Sequence, residues 1–330
     1  MRSAAVRAVR YTRTGGPEVL EVAEVPVPQP GEGEVAIDVS HAGIHFADVM
    51  FRRGQFPLPL PAVPGLEVAG TVAGLGPGVT GLRVGQPVVA LPTGFGGNAE
   101  RVIAGVTTTV PLEGELAGLD PLLAAGAACN AATAVGTLRG AARIGTGDRV
   151  LVLGASGGLG LLLGRLARAY GAALVVGAAS TVQRAARAAD AGYDQVLVYG
   201  ELADRTSELT DGQGFDVIVD SVGGEPREQV RGLLAVLGRH VVIGNAADRD
   251  ITLDANQVWY DSFTLAGYNL GGVLARRPDL LRAQLEEGLR LVADGTLPLD
   301  VEEIGWDGVA EAHRRLENRT ASGKYVLRVR

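Results

Sequence analysis

The sequence predicts an α/β protein in two parts, a β-rich lobe and a doubly wound parallel sheet of six strands. Three observations carry that reading. Residues Asp148 to Gly177 spell out strand, glycine turn, helix and strand. Further apolar runs then alternate with helical stretches, the pattern of a parallel sheet. Before residue 120, short Val-rich runs are separated by turns rich in Pro and Gly, the spacing of a compact barrel or sandwich.

Bulk properties narrow the class. A chain of 330 residues exceeds what one hydrophobic core usually organises, so two domains are expected. The net charge of −7 argues against nucleic acid as the main partner, which needs a basic face. One cysteine, Cys129, excludes an internal disulfide and any multi-cysteine zinc lobe. The N-terminus alternates Arg with Val and Ala and reads as a strand, not as a signal peptide. No uncharged apolar run is read as reaching the ~18 residues needed to span a bilayer, so no membrane contact is expected and the cytoplasm is the default.

In the first lobe, strands are expected at Ala5–Tyr11, Val19–Val25, Glu34–Ser40, Glu67–Leu75, Arg83–Ala90 and Thr108–Val110, with a short helix over Phe46–Phe51. A small, apolar helix opens at Pro121 and runs through Ala134 to Leu138. Beyond the βαβ unit, strands are expected at Gln195–Tyr199, Phe215–Asp220, His240–Ile243 and Phe263–Gly267, with a helix over Pro226–Leu237. Helices at Pro278–Ala293 and Trp306–Leu316 precede a last strand, Tyr325–Val329. The six-strand set is complete without that strand, so it is assigned back to the first lobe. The expected domains are 1–122 with 272–330, and an inserted 123–271.

The βαβ unit carries the first chemistry. Ala155-x-Gly157-x-x-Gly160 is the dinucleotide fingerprint with Ala in place of its first Gly, set between a strand and a helix as the motif requires. Gly157 lets a pyrophosphate approach the backbone, and Gly160 lets helix and strand pack closely. The free N–H groups and the positive end of the helix dipole then face the phosphates. An NAD site usually places Asp or Glu about 20 residues on, at the end of the second strand. Here the strand is read as ending at Gly177, followed by Ala178, Ala179, Ser180 and Thr181, with Arg184 shortly beyond. A missing carboxylate and a nearby guanidinium suit a 2′-phosphate, so the expected cofactor is NADPH.

The chain resembles the medium-chain dehydrogenase/reductase superfamily, and within it the zinc-free quinone oxidoreductase (zeta-crystallin-like) and enoyl reductase branch. The resemblance spans the whole length. Its carriers are Gly43-Ile-His-Phe-Ala-Asp48, Arg53-Gly-Gln-Phe-Pro57, Pro64-Gly-Leu-Glu-Val-Ala-Gly70, Thr133-Ala134, the Gly154–Gly160 turn, Asp220-Ser-Val-Gly-Gly224 and Ser322-Gly-Lys-Tyr-Val-Leu327. It implies a GroES-like barrel domain, a Rossmann domain and an active site in the cleft, with NADPH hydride transfer to a small molecule: a quinone, enone or enoyl thioester. It also implies a homodimer formed near Phe263–Leu270. Carried over by position, Ser156, Gly157, Gly158 and Leu159 contact the pyrophosphate. Ser180, Arg184 and Tyr199 surround the adenosine 2′-phosphate. Gly244, Asn269 and Leu270 lie near the nicotinamide with Thr133 on the approach, and Lys324 closes over the cofactor.

Three departures from the branch stand out: His45 where Asn is common, Phe56 where Tyr is frequent, and Val135 where an aromatic is usual. Reducing a polarised C=C bond takes a hydride and a proton. The cofactor supplies the first, and His45, titrating near neutral pH, is the candidate for the second. The bland alternative is a histidine that only hydrogen-bonds backbone or cofactor. Zinc alcohol dehydrogenases of the superfamily place ligands at positions matching His45, Leu66 and Cys129, with a carboxylate at Glu67. Leu66 cannot ligate, so no metal is expected. Two alternatives stay open: a cofactor-binding protein without catalysis, and a zinc alcohol dehydrogenase.

Overall fold

The computed structural model describes residues 5–321 and 323–330, which divide into two compact units: the chain up to Ala132 with Leu274–Arg330, and Thr133–Val273. Met1 to Ala4, at the start of the N-terminus that reads as a strand, and Ser322 of the Ser322–Leu327 motif lie outside the described residues.

The first unit begins with an antiparallel ribbon, β1 (Ala5–Arg10) and β2 (Glu21–Pro26). The longest strand, β3 (Glu34–Gly43), alternates inward Val35, Ile37 and Val39 and leads into α1 (Phe46–Arg53). The backbone N–H of His45 donates to Asp48 Oδ2 at 2.8 Å, while Asp48 Oδ1 accepts the Gly65 N–H at 2.9 Å. Asp48 thus starts the helix and ties it to the next loop. Then come β4 (Val68–Leu75), β5 (Pro87–Ala90), β6 (Arg101–Gly105) and β7 (Thr109–Pro111). Strand β6 was not foreseen, although Val102 and Ala104 alternate inward against β3.

Helix α2 (Pro121–Val135) continues as a wider π turn over Gly136–Ala141. This corrects one expectation, because Pro121–Ala141 is long and apolar enough by composition to cross a membrane. Its most apolar window is 72% buried, with seven alanines inside, as in a core helix of a folded unit.

The second unit holds β8 (Arg149–Leu153), α3 (Gly158–Ala169), β9 (Leu174–Ala179), α4 (Val182–Arg187), β10 (Gln195–Val198), α5 (Leu202–Leu209), β11 (Phe215–Asp220), α6 (Gly224–Gln229), β12 (Leu234–Val242), α7 (Ala255–Tyr260) and β13 (Thr264–Gly267), followed by α8 (Leu270–Arg276). All six strands are parallel, in the order β10-β9-β8-β11-β12-β13. The order reverses at β8, the switch point at which doubly wound sheets bind ligands.

Two readings are corrected here. β9 ends at Ala179, two residues beyond Gly177, because Ala178 and Ala179 still pair with Leu197 and Val198. The helix expected over Pro226–Leu237 stops at Gln229, and β12 begins at Leu234. Leu234 pairs with Phe215, and then an irregularity brings Arg239 opposite Val217. Leu237 takes φ +62°, and Val236 and Leu237 are 79% and 77% exposed. Apolar residues on an exposed bulge imitate a helical pattern.

The chain then returns to the first unit as α9 (Pro278–Ala293), β14 (Val301–Ile304), α10 (Val309–Glu317) and β15 (Lys324–Arg328). β15 pairs antiparallel with β3 and parallel with β14, giving the order β14-β15-β3-β4-β5-β7 with β6 also on β3. Ile37, Val39, Val68, Val88, Val309 and Leu327 share the enclosed core.

Helices α1 and α10 bury an ionisable set. Arg52 is fully buried, donating to Glu317 at 2.7 Å and to the Gly15 carbonyl at 3.1 Å. His313 is fully buried, and neither ring nitrogen has a partner among the described residues. Burial, helped by the Arg52 charge, pushes its pKa down to about 3. An unfolded histidine takes a proton below about pH 6.5, so stability is lost as pH falls from there to about 3. Replacing His313 with Leu is expected to flatten that loss by a few kcal/mol, at roughly 1.4 kcal/mol per pH unit. Urea unfolding at pH 7, 5 and 4 measures it, and parallel wild-type and variant curves would refute it.

Candidate functional site

The glycine turn between β8 and α3 forms as its residue types require. Gly154 takes φ +74°, and the N–H groups of Gly154 and Ala155 both donate to the Ala178 carbonyl at 3.0 Å. Gly157 caps α3 in an extended conformation. A Cβ on Gly160 would lie 2.3 Å from the Gly154 carbonyl oxygen and 2.7 Å from that of Ala155. One on Gly177 would lie 2.8 Å from Ala155 Cβ. Ser156 and Leu159 are half-buried, and Gly157 and Gly158 are exposed. The first turn of α3 therefore offers helix N–H groups without intrahelical acceptors at an open surface. That cradle fits a pyrophosphate.

At the end of β9, Thr181 caps α4 by accepting the Arg184 N–H. Arg184 Nη1 reaches Ser180 Oγ at 3.4 Å, with Ser180 exposed and Arg184 half-exposed. Tyr199 follows β10, the strand next to β9, and is half-buried. No Asp or Glu stands between Ala179 and Arg184. A hydroxyl and a guanidinium held together fit a phosphate monoester.

Gly244 follows β12, and its carbonyl accepts from Arg227 at 2.7 Å. Exposed Asn269 starts α8, its Oδ1 taking the Gly272 N–H at 2.8 Å, with Leu270 next to it half-buried. Half-buried Thr133 lies in α2. One turn on, Gly136 is covered by the Tyr268 ring, which a Cβ would meet at 2.2 Å. Tyr268 is buried, whereas Trp259 and Tyr260 stack on each other and stay more than 70% exposed.

The first unit contains a compact charged cluster. Glu67 is fully buried. Its Oε1 is 2.7 Å from His45 Nε2 and 2.8 Å from Lys324 Nζ, and its Oε2 accepts the Cys129 N–H at 2.6 Å. Lys324 Nζ also donates to the Ile44 carbonyl at 3.0 Å and stands 2.9 Å from His45 Nε2. Four segments supply the set: the turn from β3 into α1, the residue before β4, α2 and β15. Gly43 makes room, since a Cβ there would sit 2.0 Å from Glu67 Oε1. Burial pushes the Glu67 carboxyl up, but Lys324 and His45 outweigh it and bring its pKa down to about 2. Burial also pushes the His45 imidazole down. The Cys129 sulfur and the Glu67 carboxylate overcome both that and the Lys324 charge, so the net direction is upward. The cluster is thus a buried carboxylate flanked by an ammonium and an imidazole, both within hydrogen-bonding distance of its Oε1.

Two family models cover most of the chain: an alcohol dehydrogenase GroES-like domain over residues 31–144 and a zinc-binding dehydrogenase model over residues 158–293. The chain is 32% identical to the quinone oxidoreductase of Salmonella typhimurium, over 97% of this chain and 98% of that protein. It is 31% identical to quinone oxidoreductase 1 of Escherichia coli over the same shares. Among solved structures, it superposes on the Escherichia coli quinone oxidoreductase complexed with NADPH with a TM-score of 0.89 at 29% identity, covering 97% of this chain and 99% of that one. A quinone oxidoreductase from Pseudomonas syringae gives a TM-score of 0.90 at 27% identity, covering 98% and 99%. The chain belongs to the quinone oxidoreductase branch of the medium-chain dehydrogenase/reductase superfamily.

As a member of that branch, the chain keeps the superfamily fold with a charge set that does not suit zinc. The position between His45 and Glu67 faces the Lys324 ammonium, a cation already within hydrogen-bonding distance of both. A divalent ion there meets like-charge repulsion, and Leu66 offers no ligand. Of the two other departures from the branch pattern, Phe56 is 48% exposed with its ring 5.7 Å from that of Phe51, and Val135 is buried. Sequence reasoning grouped His45, Glu67 and Cys129 through the superfamily's zinc pattern. It did not add Lys324 to them, because Lys324 lies 279 residues from His45 and no local signal shows that β15 pairs with β3. The Asp220–Arg227 pair was also missed. Its spacing of seven across a short turn was the available sign.

Proposed function

We propose that this chain is an NADPH-dependent oxidoreductase that reduces quinones and other activated C=C bonds, such as enones or enoyl thioesters. The observation that carries the reading is the open helix cradle at Ser156–Leu159, with Ser180 and Arg184 joined at the end of β9 and no carboxylate between them. The NADPH complex of the Escherichia coli relative supports it. In this reading residues 1–122 with 272–330 serve the substrate, and residues 123–271 hold the cofactor. Bound NADPH supplies the hydride. The α3 N–H groups hold the pyrophosphate, and Ser180, Arg184 and Tyr199 hold the 2′-phosphate. Gly244, Asn269, Leu270 and Thr133 border the nicotinamide half. His45 donates the proton of the reaction, and Lys324, which was expected to close over the cofactor, is buried and serves the site through Glu67 and His45.

Oxidation of NADPH with 1,4-benzoquinone, a larger quinone and an enone tests the activity. Tight NADPH binding with no turnover on any acceptor would make this a cofactor-binding protein instead. Replacing Arg184 with Ala is expected to weaken NADPH binding by about tenfold or more, the value of one charge-assisted phosphate contact, and to leave NADH binding unchanged. Equal loss for the two cofactors would remove the phosphate role. Replacing His45 with Asn is expected to lower kcat by roughly 100-fold and to erase one limb of the pH–rate profile. Unchanged turnover with an unchanged profile would make His45 structural.

The protein is further read as a cytoplasmic homodimer without membrane contact. β13 is an end strand of its sheet, and Val236, Leu237, Trp259, Tyr260 and Leu265 around it are exposed. A second copy pairing at that edge would cover both the backbone groups and the apolar side chains. Light scattering reads the mass directly.

A further inference from the structure

The loops after β11 and β12 are held by one buried side chain. Arg227, in α6, is only 6% exposed. Its Nε donates to Asp220 Oδ2 at 2.5 Å, its Nη2 to the Gly244 carbonyl at 2.7 Å, and its Nη1 to Asp250 Oδ1 at 2.8 Å. One guanidinium therefore joins the end of β11, the second residue after β12 and the loop beyond it. Asp220 uses its other oxygen to accept the N–H groups of Val222 at 2.7 Å and Gly223 at 2.9 Å. The two loops are also joined through backbone, Ala247 N–H to the Val222 carbonyl and Gly224 N–H to the Arg249 carbonyl, each at 2.8 Å. Their approach is so close that a Cβ on Gly223 would lie 2.3 Å from Asn245 Oδ1.

This assembly touches the cofactor cradle. Ser221 Oγ donates to the Leu153 carbonyl at 3.2 Å, and a Cβ on Gly154 would meet Ser221 Oγ at 2.9 Å. Strand order then separates the two halves of the ligand. The cradle follows β8, at the switch point, and Ser180 and Arg184 follow β9 on one side of it. β11 and β12 lie on the other side, so their loops border the half of a dinucleotide that the β9 side does not hold.

We infer that Arg227 is a positioning residue for the nicotinamide half of NADPH: through Asp220, Gly244 and Asp250 it sets the Ser221–Gly224 and Gly244–Asp250 loops against the cofactor. The inference rests on the NADPH reading above. Lysine at this position keeps the charge but cannot hold three acceptors in one plane.

The test compares two ligands, NADPH and its adenosine-side fragment 2′,5′-ADP, by titration calorimetry on the full chain, with kcat and KM for NADPH measured in parallel. Arg227→Lys is expected to weaken NADPH binding by about tenfold while the fragment binds within about twofold of wild type, and KM for NADPH rises more than kcat falls. A role in stability alone would lower the unfolding midpoint and leave both affinities unchanged, or weaken both equally, and either result overturns the inference. Should Arg227→Lys fail to fold, Asp250→Asn removes only the anchor at Asp250, whose side chain is 74% exposed. A loss of about threefold confined to NADPH is expected from it, and unchanged NADPH binding overturns the inference. A wild-type protein that binds neither ligand overturns the cofactor reading itself, and this inference with it.

Discussion

Replacing Lys324 with Met is expected to cost the first unit about 3–5 kcal/mol of unfolding free energy at pH 7, the usual consequence of stranding a buried charge. Lys324 is the only lysine in the chain, and its ammonium supplies Glu67 Oε1 and the Ile44 carbonyl. Methionine fills similar volume but offers no donor. Glu67, fully buried, would keep the Cys129 N–H and His45 and lose one cation. Its carboxyl would then be harder to ionise. In the wild type the depressed Glu67 pKa contributes stability that is present above pH 4.5 and is lost as pH falls toward about 2. In the variant that loss moves to higher pH. Urea unfolding between pH 3 and 7 reads both effects. A change below about 1 kcal/mol at pH 7 would mean that the ammonium contributes no more than an exposed ion pair does.

Replacing Gly160 with Val is expected to weaken NADPH binding by at least about 100-fold, near 2.7 kcal/mol. The new Cβ would meet the Gly154 and Ala155 carbonyl oxygens at 2.3 and 2.7 Å, and neither backbone atom can yield without opening the turn. Opening it moves the first N–H groups of α3 away from the phosphates. The Tyr193 hydroxyl, which donates to the Gly160 carbonyl at 2.5 Å, adds a second anchor that must give way. Gly232→Ala, before β12 and outside the cradle, is the control. Its Cβ would meet nothing within 4 Å, so affinity should stay close to that of the wild type. Fluorescence titration measures both variants, with far-UV circular dichroism to confirm that the sheet persists. Wild-type affinity in Gly160→Val would remove the fingerprint from the binding site.

Much of the cofactor unit was legible because its signals are local. The turn at Gly154–Gly160 has glycines where backbone meets backbone, and each strand of the sheet is a short apolar run. The errors were equally local in origin. Val236 and Leu237 read as helix because they are apolar and spaced accordingly, yet they sit exposed on a bulge that pairing with β11 creates. The end of β9 was placed two residues early because Ala178 and Ala179 carry no β-branched signal, while the ladder to β10 holds them extended.

By itself the sequence determined the fold class, the dinucleotide cradle and the absence of a carboxylate after β9, because these depend on residues adjacent along the chain. It also pointed to His45 as one of three departures from the branch. Only the tertiary structure decided what surrounds His45. Pairing of β15 with β3 brings Lys324 against Glu67 and the imidazole, and α2 brings the Cys129 N–H to the other carboxylate oxygen. Contacts between groups so far apart in sequence follow from strand pairing and exclusion of water. In a buried set of one acid and two bases, mutual distance sets where the protons reside.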